Sequence, residues 1–419
     1  MRQGLLLIVP RSLRQHAVST SVTVASTALA CGLVMAVFAL NKQTFDAFTG
    51  GPAGFDAVLG ARGSQLQLVL NAVFHLETSP GNIPWTLYQE VKKDAQVELA
   101  IPYAVGDNYH GFRIVGTEVE IFSEFRYQED RTFAFAPGGR AFDPAAREAV
   151  LGSFAAQSTG LRLGDYFHPY HGLTFDESKK HNERYLVVGI LEPTNSPSDR
   201  AIWIPIEGIF RMEGHVIRGT GTEYIAEAGK PIPDEAKEVS AVLIKFKDPA
   251  LGFAFAQKIN RQGTLATLAW PIDLVMADLF NKLGWVVRIL ELVAYLVVLV
   301  AAGSILASLY NTMNERRREF AILRALGARR STVSAAIVSE AAAIALLGSI
   351  LGFAVYAAIL AVAAHVIRAQ TGVVLVPLQY HPVLWAAPLG MVVLGAFAGI
   401  LPAWKAYRTD VATGLQPSN

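Results

Sequence analysis

Residues 311–351 read NTMNERRREFAILRALGARRSTVSAAIVSEAAAIALLGSIL. The first half is basic, and its Phe320, Ile322, Leu323 and Leu326 fall at helical spacing. The second half opens an apolar run, 333–366, in which Glu340 is the only ionised residue. Another apolar run, 289–310, lies just upstream and carries only Glu291. Runs of about 18 apolar residues or more are candidate membrane spans. A Lys/Arg-rich loop between two of them belongs on the cytoplasmic side. An amphipathic helix held there is placed to receive a push from a cytosolic partner.

Two further runs, 17–40 and 383–404, hold no charge. Hydrophobic residues make up 52% of the chain and charged ones 17%, against about 25% charged in ordinary soluble domains. The expected fold is therefore a multi-pass α-helical membrane protein with four transmembrane helices and a large α+β domain inserted between helices 1 and 2. At about 1.5 Å per residue the 333–366 run would be about 51 Å long, beyond a hydrocarbon core of about 30 Å. It is expected to tilt, to bend near Gly348 or Gly352, or to project past the bilayer.

Charge sets the orientation. Residues 1–16, 311–332 and 405–419 together hold 11 Lys/Arg and 3 Asp/Glu, a net +8, while the remainder carries −7. Both termini are expected inside and the long 41–273 segment outside. Arg2, Arg11 and Arg14 ahead of the first run would also suit a signal peptide. The run is longer than a usual signal core, so an uncleaved first span is the reading taken. Cys31 is the only cysteine, so the outer domain holds no disulfide and depends on its own core.

In the outer segment, strands are expected at 112–115, 149–151, 185–191, 202–204 and 241–246, and helices at 66–74, 84–92 and 253–260. Strands and helices mixed without a regular βαβ repeat read as α+β. The polar insert 208–239 is expected to form a separate lobe. Residues 274–288 (LVMADLFNKLGWVVR) place Leu279, Leu283 and Val286 on one face, with Asp278 and Lys282 spaced as an i,i+4 pair. They read as a stalk continuous with the second membrane helix, or alternatively as an amphipathic helix packed on its own domain.

The segment ERRREFAILRALGA, followed by SEAA at Glu340, resembles the MacB/FtsX/LolC type of ABC transporter permease. A second match is GILPAWKAYRTDVATGL at 399–415, with Gly399 and Pro402 in the family's pattern. A third is the succession EAVLG (148–152), GLRLGD (160–165) and YLVVGIL (185–191), similar to the family's periplasmic core. The resemblance implies an ATPase-coupling helix carrying Glu315, Arg316, Glu319, Phe320, Leu323, Arg324, Leu326 and Gly327. Phe320, Leu323 and Leu326 are expected to form its docking face, and Gly327 to end it. Glu340, Gly399 and Pro402 are implied as membrane or structural positions, with an arginine of the coupling segment as Glu340's partner. Residues 316–318 would hold the loop inside, meet anionic lipid heads, or contact the ATPase.

The division expected is 1–40, a cytoplasmic segment and first membrane helix; 41–273, the periplasmic MacB-like domain; 274–310, stalk and second helix; 311–332, the coupling helix; 333–367, the third helix; 368–382, a short periplasmic loop; and 383–419, the fourth helix and cytoplasmic tail.

Catalytic constellations are missing from the sequence. It has no G-x-x-x-x-G-K-[ST] nucleotide loop, no H-E-x-x-H and no C-x-x-C. The chain is expected to be no enzyme and to bind no cofactor, with ATP and Mg on the partner. His168, His171 and His181 are the clustered histidines. Three imidazoles on a loop are a donor set for a transition metal, but Pro169 excludes a regular helix face, and a solvated turn without metal is the reading taken.

The expected function is the permease subunit of an ABC transporter in the bacterial inner membrane. It would transmit the motion of a separate ATPase to its periplasmic domain, to export or hand on an envelope substrate. The alternative is an FtsX-like regulator that activates a periplasmic partner enzyme. The resemblance implies a second permease copy or paralogue, a periplasmic or outer-membrane partner and a lipid bilayer, and no nucleic acid.

Overall fold

The computed structural model describes residues 2–49, 54–127, 131–219, 221–227, 229–325, 327–372, 374–375 and 380–408. The chain forms two compact units, one from residues 1–43, 283–365 and 376–419, the other from 44–282 and 366–375.

The first unit is helical. An N-terminal helix, Arg2–Gln15, precedes the first membrane helix, Ala17–Thr49. The second membrane helix, Ile272–Glu315, is followed by a short loop helix, Arg317–Ala325. The third, Arg330–Thr371, and the fourth, Val383–Arg408, complete the set. Four of these helices are long and apolar enough to cross a membrane. The second and third have 44 and 42 residues, lengths of about 66 and 63 Å at helical rise. Both exceed any bilayer core, so each continues outside it.

The first membrane helix is the enclosed one, with 61% of its apolar window buried against 17% for each of the other three. Small residues permit the enclosure. A Cβ on Gly348 of the third helix would lie 2.5 Å from Thr27 Cβ, and one on Gly352 would lie 3.0 Å from Cys31 Cβ. On its other side the third helix meets the fourth, where a Cβ on Gly395 would lie 2.5 Å from Ala345 Cβ and one on Gly399 would lie 2.8 Å from Ala341 Cβ. Both seams are small-xxx-small pairs, which let helix backbones approach where no hydrophobic force drives them together. The third helix is unbroken through Gly348 and Gly352, and both glycines lie at its contact with the first helix.

Among the described residues, the second unit is built on twelve strands: Ala57–Ala61 (β1), Ile83–Pro84 (β2), Val97–Tyr109 (β3), Phe112–Thr117 (β4), Glu148–Leu151 (β5), Tyr166–Phe167 (β6), Tyr170–His171 (β7), Tyr185–Ile190 (β8), Ile202–Pro205 (β9), Glu238–Val239 (β10), Ala241–Phe246 (β11) and Ala266–Ala269 (β12). Among the described residues, ten of them form one sheet, ordered β12-β1-β11-β3-β4-β9-β5-β8-β6, with β7 also on β3. Most pairs are antiparallel, but β4 runs parallel to β9 and β5 to β8.

Alternation along each strand divides its side chains between two cores. Val242, Ile244 and Phe246 enter one, and Ala241 and Leu243 the other. Ile202 and Ile204 join the first, and Trp203 the second. Because both faces are covered, these strands read as unbroken apolar runs. Trp203 is fully buried and stands edge-on to Tyr103 at 5.6 Å; removing such a ring costs about 3–5 kcal/mol. Helix Trp85–Lys92 covers the first core with Trp85, Tyr88 and Val91, three residues apart.

The structure departs from the sequence reading in three places. The first membrane helix continues to Thr49, whereas the second runs unbroken from Ile272 through the expected 274–288 stalk. The 208–239 insert is no separate lobe: Met212, Ile217, Ile232, Ala236 and Val239 all belong to the main core. The expected loop at 368–382 is partly helix, and residues 366–375 belong to the second unit. There the Arg368 guanidinium lies 5.3 Å from the Phe154 ring centre, and Arg200 donates to the Ala369 carbonyl.

Candidate functional site

The loop helix is patterned by what it buries. Backbone hydrogen bonds run through the junction, Arg316 N–H to Thr312 O at 3.0 Å and Phe320 N–H to Arg316 O at 3.1 Å. The Arg316 side chain turns inward, and only 9% of it is exposed. Its Nη1 donates to Ser12 Oγ at 2.6 Å and to Glu340 Oε2 at 3.2 Å. Ser12 in turn donates to Glu340 Oε1 at 2.5 Å. Arg316 Nε reaches Glu319 Oε2 at 3.1 Å, and the guanidinium lies over the Phe320 ring. Three segments, the N-terminal helix, the loop junction and the third membrane helix, thus meet at one buried charge pair.

Phe320 is buried with Met313, Val333, Ile337 and Ala403. This corrects the expectation that Phe320 lies on a docking face, while Arg316 is the coupling-segment arginine that pairs with Glu340. Both anchor the loop helix to its own unit, because the ring and the guanidinium share one side of the helix with the third and fourth membrane helices. The opposite side carries Ile322 and Ala325, both exposed, with Ile322 at 45%, and the exposed Glu319 lies at its edge within reach of Arg316. Leu323 lies in the loop helix, and Leu326 falls outside the described residues. Arg324 is half-buried. Glu315 is exposed and lies 3.4 Å from the His16 imidazole. Gly327 takes φ +97° and donates its N–H to Arg324 O at 3.0 Å; a left-handed glycine stops a helix without strain. Pro402 is buried inside the fourth helix.

In the second unit the predicted histidines separate. His168 bonds through Nδ1 to the His181 carbonyl oxygen at 3.2 Å and goes no further. His171 and His181 instead converge with Asp107 and His215. Burial works against a charge on Asp107, but hydrogen bonds from His181 and His215 and their nearby charge hold its pKa down at about 2. Burial likewise opposes the charged form of His215, yet its bond to Asp107 leaves it raised. Sequence spacing missed both partners. The only local signal at Asp107 is its place after Gly106 in an apolar strand, where a glycine marks a bulge. His215 stands too far along the chain for any local pattern. Ser12, in a basic leader, gave no signal either.

Residues 20–262 match the family described as MacB-like periplasmic core domain. Residues 291–411 match the family described as FtsX-like permease C-terminal. Two solved structures are similar in their outer parts. The periplasmic region of MacB from Actinobacillus actinomycetemcomitans is 10% identical over 54% of this chain and 95% of its own, with a TM-score of 0.34. The extracellular domain of the noncanonic ABC-type transporter YknZ from Gram-positive bacteria is 14% identical over 50% and 97%, with a TM-score of 0.29. The two matched families, which together take in both units, carry the assignment; the structural likenesses at these scores add nothing to it.

Proposed function

We propose a function from a plain premise: the chain belongs to the ABC transporter permeases of the MacB/FtsX/LolC type, with a MacB-like periplasmic core domain and an FtsX-like permease domain. Permeases of this family work with ABC ATPases. The chain is the membrane subunit through which a separate ATPase, holding the ATP and Mg, drives its outer domain, with both termini and the loop helix in the cytoplasm and a second permease alongside.

The observation that carries this reading is the buried Arg316–Ser12–Glu340 cluster. A push on the loop helix reaches the N-terminal helix and the third membrane helix through a charge pair, with no slack loop between. The face left for an ATPase among the described residues centres on Ile322 and Ala325, with Glu319 at its edge. Transport of an envelope substrate is the preferred task over activation of a periplasmic enzyme, because the outer domain is larger than a regulator requires.

The test is affinity purification of the tagged chain from mildly solubilised native membranes. An ABC ATPase should accompany it. Ile322→Asp puts a charge into a desolvated contact, at a cost of roughly several kcal/mol, and should lower ATPase recovery at least about tenfold with insertion unchanged. An eluate without ABC ATPase, with or without nucleotide, would overturn the coupling role. A periplasmic adaptor or lipoprotein in the same eluate supports transport, and a cell-wall hydrolase supports regulation.

A further inference from the structure

We infer that Asp107, His171, His181 and His215 form a binding site for one divalent transition-metal ion on the outer domain, with zinc the best match to the donors. The inference stands apart from the coupling role and uses none of the same residues.

Four segments deliver the donors. Asp107 lies on β3 and His171 directly opposite it on β7. His181 follows in the next loop, and His215 sits in the turn after helix Ile206–Phe210. The pairing of β3 with β4 shifts between Val105 and Asp107, and such a bulge re-aims a side chain. The Asn108 amide donates to the carbonyls of Tyr170, Gly172 and Thr174 at 3.3, 2.8 and 3.2 Å, fixing the β7 turn. The last two loops are tied to each other as well. Glu213 N–H donates to Glu183 Oε1 at 2.9 Å, and Asn182 donates to Glu213 Oε2.

The four donor atoms lie within 4.8 Å of one another, and four of their six separations match a coordination shell. Asp107 Oδ1 lies 3.2 Å from His171 Nδ1, 3.2 Å from His181 Nε2 and 3.3 Å from His215 Nε2. His171 Nδ1 and His215 Nε2 are 3.1 Å apart. Bonds of about 2.0–2.1 Å to tetrahedral zinc put neighbouring ligand atoms about 3.3 Å apart. The three imidazole planes stand 73–80° to one another, so the rings approach from different directions.

Hydrogen bonding alone accounts poorly for the same atoms. His215 Nδ1 faces the Ile209 carbonyl at 3.0 Å. A carbonyl only accepts, so Nδ1 carries a proton, and Nε2 is the nitrogen turned toward Asp107 Oδ1, free to ligate once it gives up its own proton. A proton on Nε2 can satisfy that contact, and a metal ion is the other cation that can. The Nδ1–H···O=C bond is also the usual way a protein orients a metal-binding imidazole. Three nitrogens crowd onto Asp107 Oδ1, while Oδ2 is buried without a partner. Three imidazoles and one carboxylate, without thiolate, suit zinc and its divalent neighbours and not calcium or magnesium. His171, 54% exposed, leaves the ion a route in from solvent.

The experiment uses the full-length protein in detergent, stripped with a chelator and titrated with cobalt(II), then zinc. Cobalt should bind one per chain with the strong visible absorption of a four-coordinate site, and one equivalent of zinc should displace it. His181→Ala and His215→Ala should each weaken cobalt binding at least about 100-fold, since even losses behind the ligands cost about 10–100-fold. His168→Ala should leave it unchanged. Should either buried variant fail to fold, His171→Gln at the exposed rim carries the test, with at least about tenfold weaker binding expected. A stripped wild type that takes up no cobalt at micromolar concentration would overturn the site. So would a six-coordinate spectrum, or wild-type affinity in folded His171→Gln.

Discussion

Arg316 Nη1 lies 3.2 Å from Glu340 Oε2, and both side chains are more than nine-tenths buried. The pair sits in surroundings where a lone charge is expensive, so removing one member leaves the other uncompensated. Arg316→Ala and Glu340→Gln should each lower stability by about 3–5 kcal/mol. The double substitution Arg316→Met with Glu340→Leu should cost less than either alone. Thermal unfolding in detergent measures all three. Additive losses would mean that the two residues do not act as a pair.

The seams between membrane helices should reject added volume. Gly348→Val and Gly395→Val force a Cβ into contact with Thr27 and Ala345 and should each cost about 1–3 kcal/mol. Gly303 and Gly390 have open space at the Cβ position, so alanine there should be neutral or mildly stabilising. The comparison of thermal midpoints is internal, since all four substitutions lie in membrane helices.

Acid should loosen the outer domain at Glu148. Its carboxylate takes two hydrogen bonds from Arg140, at 2.6 and 2.5 Å, and one from Asp143 N–H at 2.8 Å. The Arg140 bond is the chief cause that holds its pKa below the ordinary 4.5. The folded state therefore binds the proton less readily than the unfolded one. The stabilisation is complete above pH 4.5 and is lost as pH falls through the folded value. Glu148→Gln should lower the midpoint near neutrality and flatten its fall below that pH. A variant with the full wild-type acid slope would place the acid-sensitive group elsewhere.

Orientation is tested by labelling from outside. In a Cys31→Ser background, Glu90→Cys lies on an exposed helix position of the outer unit and Ala325→Cys on the loop helix. The charge asymmetry predicts that an impermeant thiol reagent reaches the first and not the second. The opposite result would invert the topology.

The sequence disclosed those parts of the protein whose signal is local. Four apolar runs and the strand Ala241–Phe246 stand out in their own windows. Strand β3 did not, because Pro102, Gly106 and the polar Asp107 and Asn108 interrupt its pattern. The loop helix was legible as an element, but its inward side was not. Phe320 looked like a docking residue because nothing nearby in sequence announces Met313, Val333 and Ala403 around it. Glu340 was marked by being a charge in an apolar run, and its arginine partner followed from proximity in the chain. Ser12, which joins the same cluster from more than 300 positions away, had no such mark. For the histidines, spacing grouped His168 with His171 and His181, whereas pairing of β3 with β7 selects Asp107.

The Ser12 contacts also impose an order on biogenesis. Ser12 is separated from Arg316 by 304 positions and from Glu340 by 328. At about 5–20 residues per second, the N-terminal helix emerges roughly 15–65 s before its partners are synthesised. Throughout that interval the enclosed first membrane helix lies in the bilayer without the third helix that covers it. Ser12 can close on its partners only after Glu340 has entered the membrane beside it. A nascent chain stalled before that moment has neither its Ser12 contacts nor the third helix's side of the small-residue seam.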